Sequence, residues 1–221
     1  MSEERKEGSL MEIEIKELSP DLAEDYARFF DTTPHNNTGK GTKCYCVTWC
    51  SDPVYHSGGE HWYPSEEERR LHGLKRVKDG SIRGYLAYCG DEIVGWCNVN
   101  TKADCQEAMK YFRSMGIPID ECRAGEKSKF VFCFAIAPKA QSMGVATKLL
   151  AHACQDAADN GFDFIEALPY RELADDGFRG PLALYEKCGF SIQAEHEGKV
   201  VVRKVLNHAT RETGVPASLT P

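Results

Sequence analysis

Apolar and polar positions alternate along the chain in patterns that predict strands separated by helices. Residues 11–18 (MEIEIKEL) alternate apolar and charged side chains, which is typical of an edge strand. Residues 129–137 (KFVFCFAIA) are nearly all apolar, which indicates a central strand buried on both faces. Two further runs, 82–88 and 92–100, flank a turn that contains Gly90 and therefore predict a hairpin.

Helix signals fall between these strands. Pro20 predicts a helix start, and Ser65 followed by Glu68 has the spacing of a capping box at the start of a polar helix that ends at Gly80. Additional helices are expected at 103–116, 146–160 and 181–188, and additional strands at 163–168, 190–195 and 199–206. The order of elements indicates an α/β protein.

This pattern predicts one domain, at residues 11–206, between two polar ends. Residues 1–10 are expected to form a flexible arm and residues 207–221 a loose tail. Two long segments interrupt the regular elements: an irregular stretch at 31–63 and an insertion at 102–127.

Composition narrows the function classes. The 221 residues carry a net charge of −7, which disfavours a protein that coats nucleic acid or binds a membrane surface through basic residues. No apolar run approaches the roughly 18 residues that span a bilayer. The first residues are charged and have no apolar signal segment, so the ten cysteines are expected to be mostly free thiols in the cytoplasm.

The stretch between residues 130 and 150 offers the clearest candidate chemistry. A buried strand ends at Pro138, a short loop follows, and Gln141-x-x-Gly144-x-Ala146 leads into a helix. Backbone N–H groups at a helix start have no internal partner, and the helix dipole adds positive charge there, so this turn suits a pyrophosphate. It could equally be an ordinary strand–loop–helix connection, because neither a Walker loop nor a dinucleotide fingerprint is present.

At these residues the sequence resembles the GNAT N-acetyltransferase superfamily. The loop resembles that family's acyl-CoA pyrophosphate loop, and residues 181–190 (PLALYEKCGF) resemble its short helix with a tyrosine before Gly-Phe. The resemblance extends over 11–206 and is strongest in 130–190. It implies a three-layer α-β-α fold with a mixed, mostly antiparallel sheet and a splayed cofactor cleft. Ala146 departs from the commoner second glycine, and the long segments 31–63 and 102–127 leave the acceptor undefined.

The resemblance implies transfer of an acetyl group from acetyl-CoA, as co-substrate, to an amine by direct attack, with no metal. Backbone groups of the long strand would run beside the pantetheine arm, and those of the loop would hold the pyrophosphate. The expected cofactor-binding residues are Phe134, Ile136, Ala137, Gln141, Ser142, Met143, Gly144, Val145, Ala146 and Thr147. Lys139 and Lys148 either add charge near the phosphates or are ordinary surface lysines.

Two side chains are candidate catalytic groups. Tyr185 resembles the family tyrosine that protonates the departing sulfur, although it could simply pack beneath its helix. Glu166, on the strand beside the expected cleft, could take a proton from the amine directly or through water, or be an exposed strand residue. Acidic residues of the insertion are weaker candidates for binding a cationic acceptor or are surface charges: Asp104, Glu107, Asp120 and Glu121.

The cysteines raise a separate possibility. Cys44, Cys46 and Cys50, followed by His56 and His61, could bind zinc, yet their spacing is not a known finger pattern, and the aromatic residues between them favour the wall of a substrate pocket. This segment could also have a redox role. Cys133, inside the apolar strand, is expected to belong to the core.

The acceptor is expected to be a small-molecule amine or a peptide amine, and the acidic composition favours a cationic one. The resemblance also implies that a homodimer is possible. The alternative function is a non-catalytic module of the same fold that senses acyl-CoA without turning it over.

Overall fold

A seven-stranded sheet organises the computed structural model, which describes residues 12–33, 43–47, 65–121, 123–171 and 177–206. The expected arm at 1–10, the tail at 207–221 and most of the segment 31–63 lie outside these ranges. The strands are β1 (Glu14–Glu17), β2 (Gly84–Cys89), β3 (Glu92–Thr101), β4 (Ser128–Ile136), β5 (Phe164–Ala167), β6 (Ser191–His196) and β7 (Lys199–Val205). The α-helices are α1 (Ala23–Thr32), α2 (Glu66–Lys78), α3 (Gln106–Ser114), α4 (Val145–Asp159) and α5 (Leu182–Lys187).

The strand order is β1-β2-β3-β4-β5-β7-β6. Every neighbouring pair is antiparallel except β4 and β5, which are parallel and joined through α4. The prediction of a mixed, mostly antiparallel sheet is therefore confirmed. The apolar strand β4 lies at the fourth of the seven positions, and its residues from Phe130 to Ala135 are buried, as its composition predicts.

Helices cover the sheet on both faces. Gly95 of β3 lies under α4, and a Cβ atom there would come within 2.8 Å of Val145 and 3.2 Å of Leu149. The next residue, Trp96, points to the other face, where its ring packs against Tyr26 of α1 at a centroid distance of 5.1 Å. The small size of Gly95 thus lets the start of α4 approach the sheet closely.

The predicted helix signals are borne out in detail at α2. The Ser65 hydroxyl accepts the Glu68 backbone N–H at 3.1 Å, and the Glu68 carboxylate accepts the Ser65 N–H at 3.1 Å. The helix ends at Lys78, two residues before the predicted Gly80, since Asp79 already acts as its C-cap. In the insertion, a 3-10 turn over Lys102–Cys105 precedes α3.

Candidate active site

The turn between β4 and α4 has an unusual backbone. A 3-10 turn over Pro138–Ala140 follows the strand, and Ser142 and Gly144 then adopt the left-handed region with φ of 61° and 80°. The first backbone bond into the helix is donated by Lys148 to the Gly144 carbonyl at 3.0 Å. These two left-handed residues turn the chain sharply, so that α4 begins directly beyond the end of β4.

This geometry leaves a group of backbone N–H groups unused. The Met143 N–H donates to the Ala140 carbonyl at 3.4 Å. Within the described part of the chain, the N–H groups around it have no acceptor: those of Ser142, Gly144, Val145, Ala146 and Thr147. Among the described residues beyond its two chain neighbours, no atom lies within 4 Å of where a Cβ of Gly144 would be, so none of their side chains fills the turn. The amides and the helix dipole together form an open site for an anion.

Side chains contribute less to this site than its backbone. Lys139 forms an ion pair with Glu92, and Lys148 is exposed, which fits their interpretation as surface lysines. Gln141 is exposed as well, and its backbone N–H donates to the Pro138 carbonyl at 3.3 Å. The buried side chain of Val145 anchors the first turn of α4 against the sheet.

A gap opens beside the anion site because β4 extends beyond the point where its pairing with β5 ends. Parallel pairing ends where Val131 lies opposite Ala167, whereas β4 continues to Ile136. The Ala137 N–H points away from the gap and donates to Val94 of β3 at 3.0 Å. Since successive residues of a strand direct their N–H groups to opposite edges, Phe134 and Ile136 share the edge that faces the gap.

Part of that edge is already occupied by the chain itself. The Phe134 N–H donates to the Phe178 carbonyl at 2.6 Å. The segment around Phe178 is anchored next to β5, because the Tyr170 N–H donates to the Gly180 carbonyl at 3.0 Å. A ligand amide that binds the Phe134 N–H must therefore displace the Phe178 carbonyl. No sequence signal indicates this contact.

Tyr185 of α5 lies beside Phe134, at the edge of β4 that faces the gap. Its ring is fully buried between Phe134 and Phe190, at centroid distances of 6.3 and 5.3 Å. The hydroxyl donates to the Arg179 carbonyl at 2.8 Å. Burial raises the pKa of Tyr185 well above its usual value, so the phenol keeps its proton at neutral pH.

Glu166 is buried in an ion-pair cluster. Only 1% of its side chain is exposed, so the alternative of an exposed strand residue is wrong. Lys102 Nζ, from the insertion, lies 2.7 Å from Oε2, and Arg203 donates to Oε1 from two nitrogens at 2.6 and 2.9 Å. Both carboxylate oxygens thus face cations, and the cluster joins the insertion to β5 and β7.

The remaining acidic candidates lie at the surface. Asp104 lies 3.6 Å from Arg83, and Glu107 pairs with Lys110 at 2.6 Å within α3. Asp120 lies 3.3 Å from Arg203, at the rim of the Glu166 cluster, and Glu121 is exposed.

The cysteine segment is described only in part. Cys50, His56 and His61 lie outside the described residues, so the zinc hypothesis stays a prediction. Within the described ranges, no group of three or more potential ligands is placed to hold a metal. Cys133 is 1% exposed, which confirms its place in the core. Among the helices of the described ranges, none has the length and apolar character needed to cross a bilayer.

The mixed sheet with a gap beside its fourth strand, next to free amides at a helix start, has the architecture that the resemblance in the sequence implies. The chain matches the model of the acetyltransferase (GNAT) family over residues 43–190, which is more than half of its length. It belongs to this family, and the resemblance at 130–190 is confirmed. No curated protein matches the chain.

Solved structures show the same fold. One is PaiA N-acetyltransferase from Thermoplasma acidophilum in complex with coenzyme A, with a TM-score of 0.50, 14% identity, and coverage of 88% of this chain and 99% of that chain. Another belongs to the NatC complex bound to Gag peptide and CoA, with a TM-score of 0.50, 15% identity, and coverage of 89% and 100%. At these identities the likeness establishes the fold alone.

Proposed function

We propose that this protein transfers the acetyl group of acetyl-CoA to an amine, without a covalent intermediate on the enzyme. The observation that carries the proposal is the group of N–H groups without an acceptor in the described part of the chain, those of Ser142 and residues 144–147, next to the gap between β4 and β5. Family membership supports acyl transfer. The bound coenzyme A of the Thermoplasma acidophilum relative supports the donor.

The pyrophosphate, the pantetheine arm and the thioester of the donor each have a proposed surface. The N–H groups of residues 142 and 144–147 would bind the pyrophosphate, with Gly144 giving the phosphates close access to the backbone. Ile136 and Phe134 offer sheet-edge N–H groups to the two amides of the pantetheine arm, once the Phe178 carbonyl has moved away. The thioester would then lie near Tyr185.

Tyr185 is the proposed proton donor to the departing thiolate. Burial raises its pKa, so the phenol holds its proton until the sulfur becomes negatively charged, and the hydroxyl must exchange the Arg179 carbonyl for that sulfur during the reaction. Holding the amine and the thioester together contributes the rest of the acceleration by removing the entropy cost of their encounter.

Glu166 remains a candidate proton acceptor from the sequence, but its contacts favour a different role. Both of its oxygens already accept hydrogen bonds from Lys102 and Arg203, so it would have to leave these partners to reach an amine. We therefore propose that Glu166 holds the insertion on the sheet and so positions the acceptor side of the site.

The test is to incubate the purified protein with acetyl-CoA and a panel of small and peptide amines while following thiol release. Release that depends on one amine class supports the proposal and identifies the acceptor. A protein that binds no coenzyme A in a calorimetric titration refutes it. The NatC relative bound to a Gag peptide justifies including peptide amines in the panel.

A second candidate function is an acyl-CoA sensor that performs no turnover. It is favoured by the carbonyls of Phe178 and Arg179, which already occupy the Phe134 N–H and the Tyr185 hydroxyl. Tyr185→Phe separates the two functions: an enzyme loses turnover while coenzyme A affinity is retained, whereas a sensor shows no turnover before or after the change.

We also propose that the protein acts in the cytoplasm and that it can form a homodimer. The cysteines of the described ranges form no disulfide with one another, which fits the reducing cytoplasm. A homodimer is tested by the mass of the protein in solution.

A further inference from the structure

A second site with its own chemistry lies over the sheet face opposite α4. It is formed by the short segment 43–47, in which two consecutive residues, Tyr45 and Cys46, have φ of 46° and 48°. Such left-handed conformations are uncommon for residues other than glycine and are found where the surrounding structure enforces them.

Hydrogen bonds from α1 and α2 enforce this conformation. The Tyr45 hydroxyl donates to Asp31 at 2.5 Å, and Arg70 donates to both oxygens of the same carboxylate at 3.1 Å. Tyr26 donates to the Tyr45 carbonyl, and Arg69 to the Lys43 carbonyl at 2.7 Å. The two helices thus fix the backbone immediately before Cys46.

The result is that the Cys46 sulfur lies against β4. Its Sγ is 2.7 Å from the Sγ of Cys133, and each residue is only 1% exposed. The pairing of β3 with β4 contains a β-bulge at Phe132, because Val131 and Cys133 lie opposite two consecutive residues of β3. This bulge aims Cys133 at the segment that carries Cys46.

Other donors converge on the same sulfur. The Asn98 side-chain amide donates to Cys46 Sγ at 3.2 Å. The indole N–H of Trp96 is buried and meets no acceptor with hydrogen-bond geometry in the described part of the chain, yet it lies close enough to Cys46 to influence its ionisation. A buried sulfur surrounded by three donors is suited to carry negative charge.

The two thiols differ accordingly in acidity. Burial by itself would raise the pKa of Cys46, but hydrogen bonds from Cys133 and Asn98, together with the nearby indole N–H of Trp96, outweigh it, and the pKa is lowered. Burial and the hydrogen bond with Cys46 raise the pKa of Cys133 well above the usual value. The contacts therefore make Cys46, whose sulfur accepts the Asn98 amide and touches the Cys133 sulfur, the cysteine placed to react first.

We propose that Cys46 and Cys133 form a redox-active pair that hydrogen peroxide converts into an intramolecular disulfide. The Cys46 thiolate attacks one peroxide oxygen, the O–O bond breaks, and hydroxide leaves with a proton as water, which leaves a sulfenic acid on Cys46. The Cys133 sulfur then attacks the Cys46 sulfur, the S–O bond breaks, and a second water leaves. Two electrons pass from the thiols to peroxide, and a dithiol returns them.

The bond would tie the segment 43–47 to β4 immediately before Phe134, whose N–H faces the gap beside β5. Oxidation should therefore lower turnover by restraining that strand. This last consequence rests on the proposed function, whereas formation of the bond does not.

Peptide mapping without reductant tests the bond directly. The folded protein is treated with hydrogen peroxide, its remaining thiols are blocked, and it is digested with trypsin. Cleavage at lysine and arginine releases Cys133 in residues 130–139 and Cys46 in residues 44–69. We expect these peptides to be linked, the ten thiols to fall to eight, and dithiothreitol to reverse both changes.

Three variants assign the link within the peptide 44–69, which also contains Cys44 and Cys50. Cys44→Ser should keep it, since burial raises the pKa of Cys44 and leaves it the less reactive neighbour. Cys46→Ser and Cys133→Ser should abolish it. A link that survives Cys46→Ser, or a wild-type protein that keeps ten thiols, would overturn the proposal whether or not acetyl transfer is found.

Discussion

Replacing Gly144 by alanine perturbs the anion site through the backbone alone. A Cβ at this position would meet no atom of the described residues beyond its chain neighbours within 4 Å, so it clashes with none of them, but φ is 80°. A left-handed residue other than glycine costs roughly 1–2 kcal/mol. The variant must either keep this strain and lose that much stability, or relax φ and turn the neighbouring N–H groups away from the ligand.

If φ of residue 144 relaxes and the neighbouring N–H groups turn away, the variant should bind coenzyme A more weakly. A hydrogen bond to a charged group contributes about 1.5–3 kcal/mol, and every 1.4 kcal/mol corresponds to roughly a tenfold change in affinity. Misdirecting one amide of the turn should therefore weaken coenzyme A binding roughly 10- to 100-fold. Calorimetric titration measures the affinity, and urea unfolding measures the stability.

Gly161 provides a matched control at the other end of α4. Its φ is 70°, and no atom lies within 4 Å of its added Cβ. Gly161→Ala should lose similar stability, about 1–2 kcal/mol, and keep its affinity for coenzyme A. Equal affinities in the two variants, together with a stability of Gly144→Ala close to that of wild type, would show that the turn at Gly144 does not bind the diphosphate.

Three further predictions concern stability. Glu166→Gln leaves Lys102 and Arg203 without their buried partner and should lower the free energy of unfolding in urea by about 3–5 kcal/mol. An unchanged free energy of unfolding would show that the carboxylate is not paired with them. Hydrogen bonds from Lys129 and Tyr85 outweigh burial and lower the pKa of Asp156 below 3.8, so its contribution is present above that pH and is lost as the pH falls through the lowered value. Asp156→Asn should therefore destabilise the protein at pH 7 and converge with wild type in acid; a constant difference would contradict this. Ser65→Ala should cost about 1 kcal/mol through its capping box, and an unchanged unfolding midpoint would count against that cap.

Local sequence signals predicted the elements that frame the site. The apolar run at 129–137 identified β4, and Gly144 located the turn before α4, because both depend on neighbouring residues. The capping pair at Ser65 and Glu68 was equally local. Helix ends shifted by one or two residues, since caps such as Asp79 compete with the glycine that follows.

Contacts between distant segments were beyond this kind of prediction. Glu166 meets Lys102 from 64 positions away, and Cys46 meets Cys133 from 87 positions away. One clue was present: a carboxylate between Ile165 and Ala167 in an apolar strand needs a buried partner. The Phe178 carbonyl offered no such clue, because any residue type supplies the same backbone group.

The central claim is that the free amides at the start of α4 bind the diphosphate of coenzyme A. An amide-resolved NMR titration of the wild-type protein with coenzyme A tests it most directly. The account predicts that the largest saturable shifts fall on Ser142 and residues 144–147, with Ile136 and Phe134 following as the pantetheine arm enters the gap. Saturable binding that leaves these amides unshifted and moves others instead would contradict it.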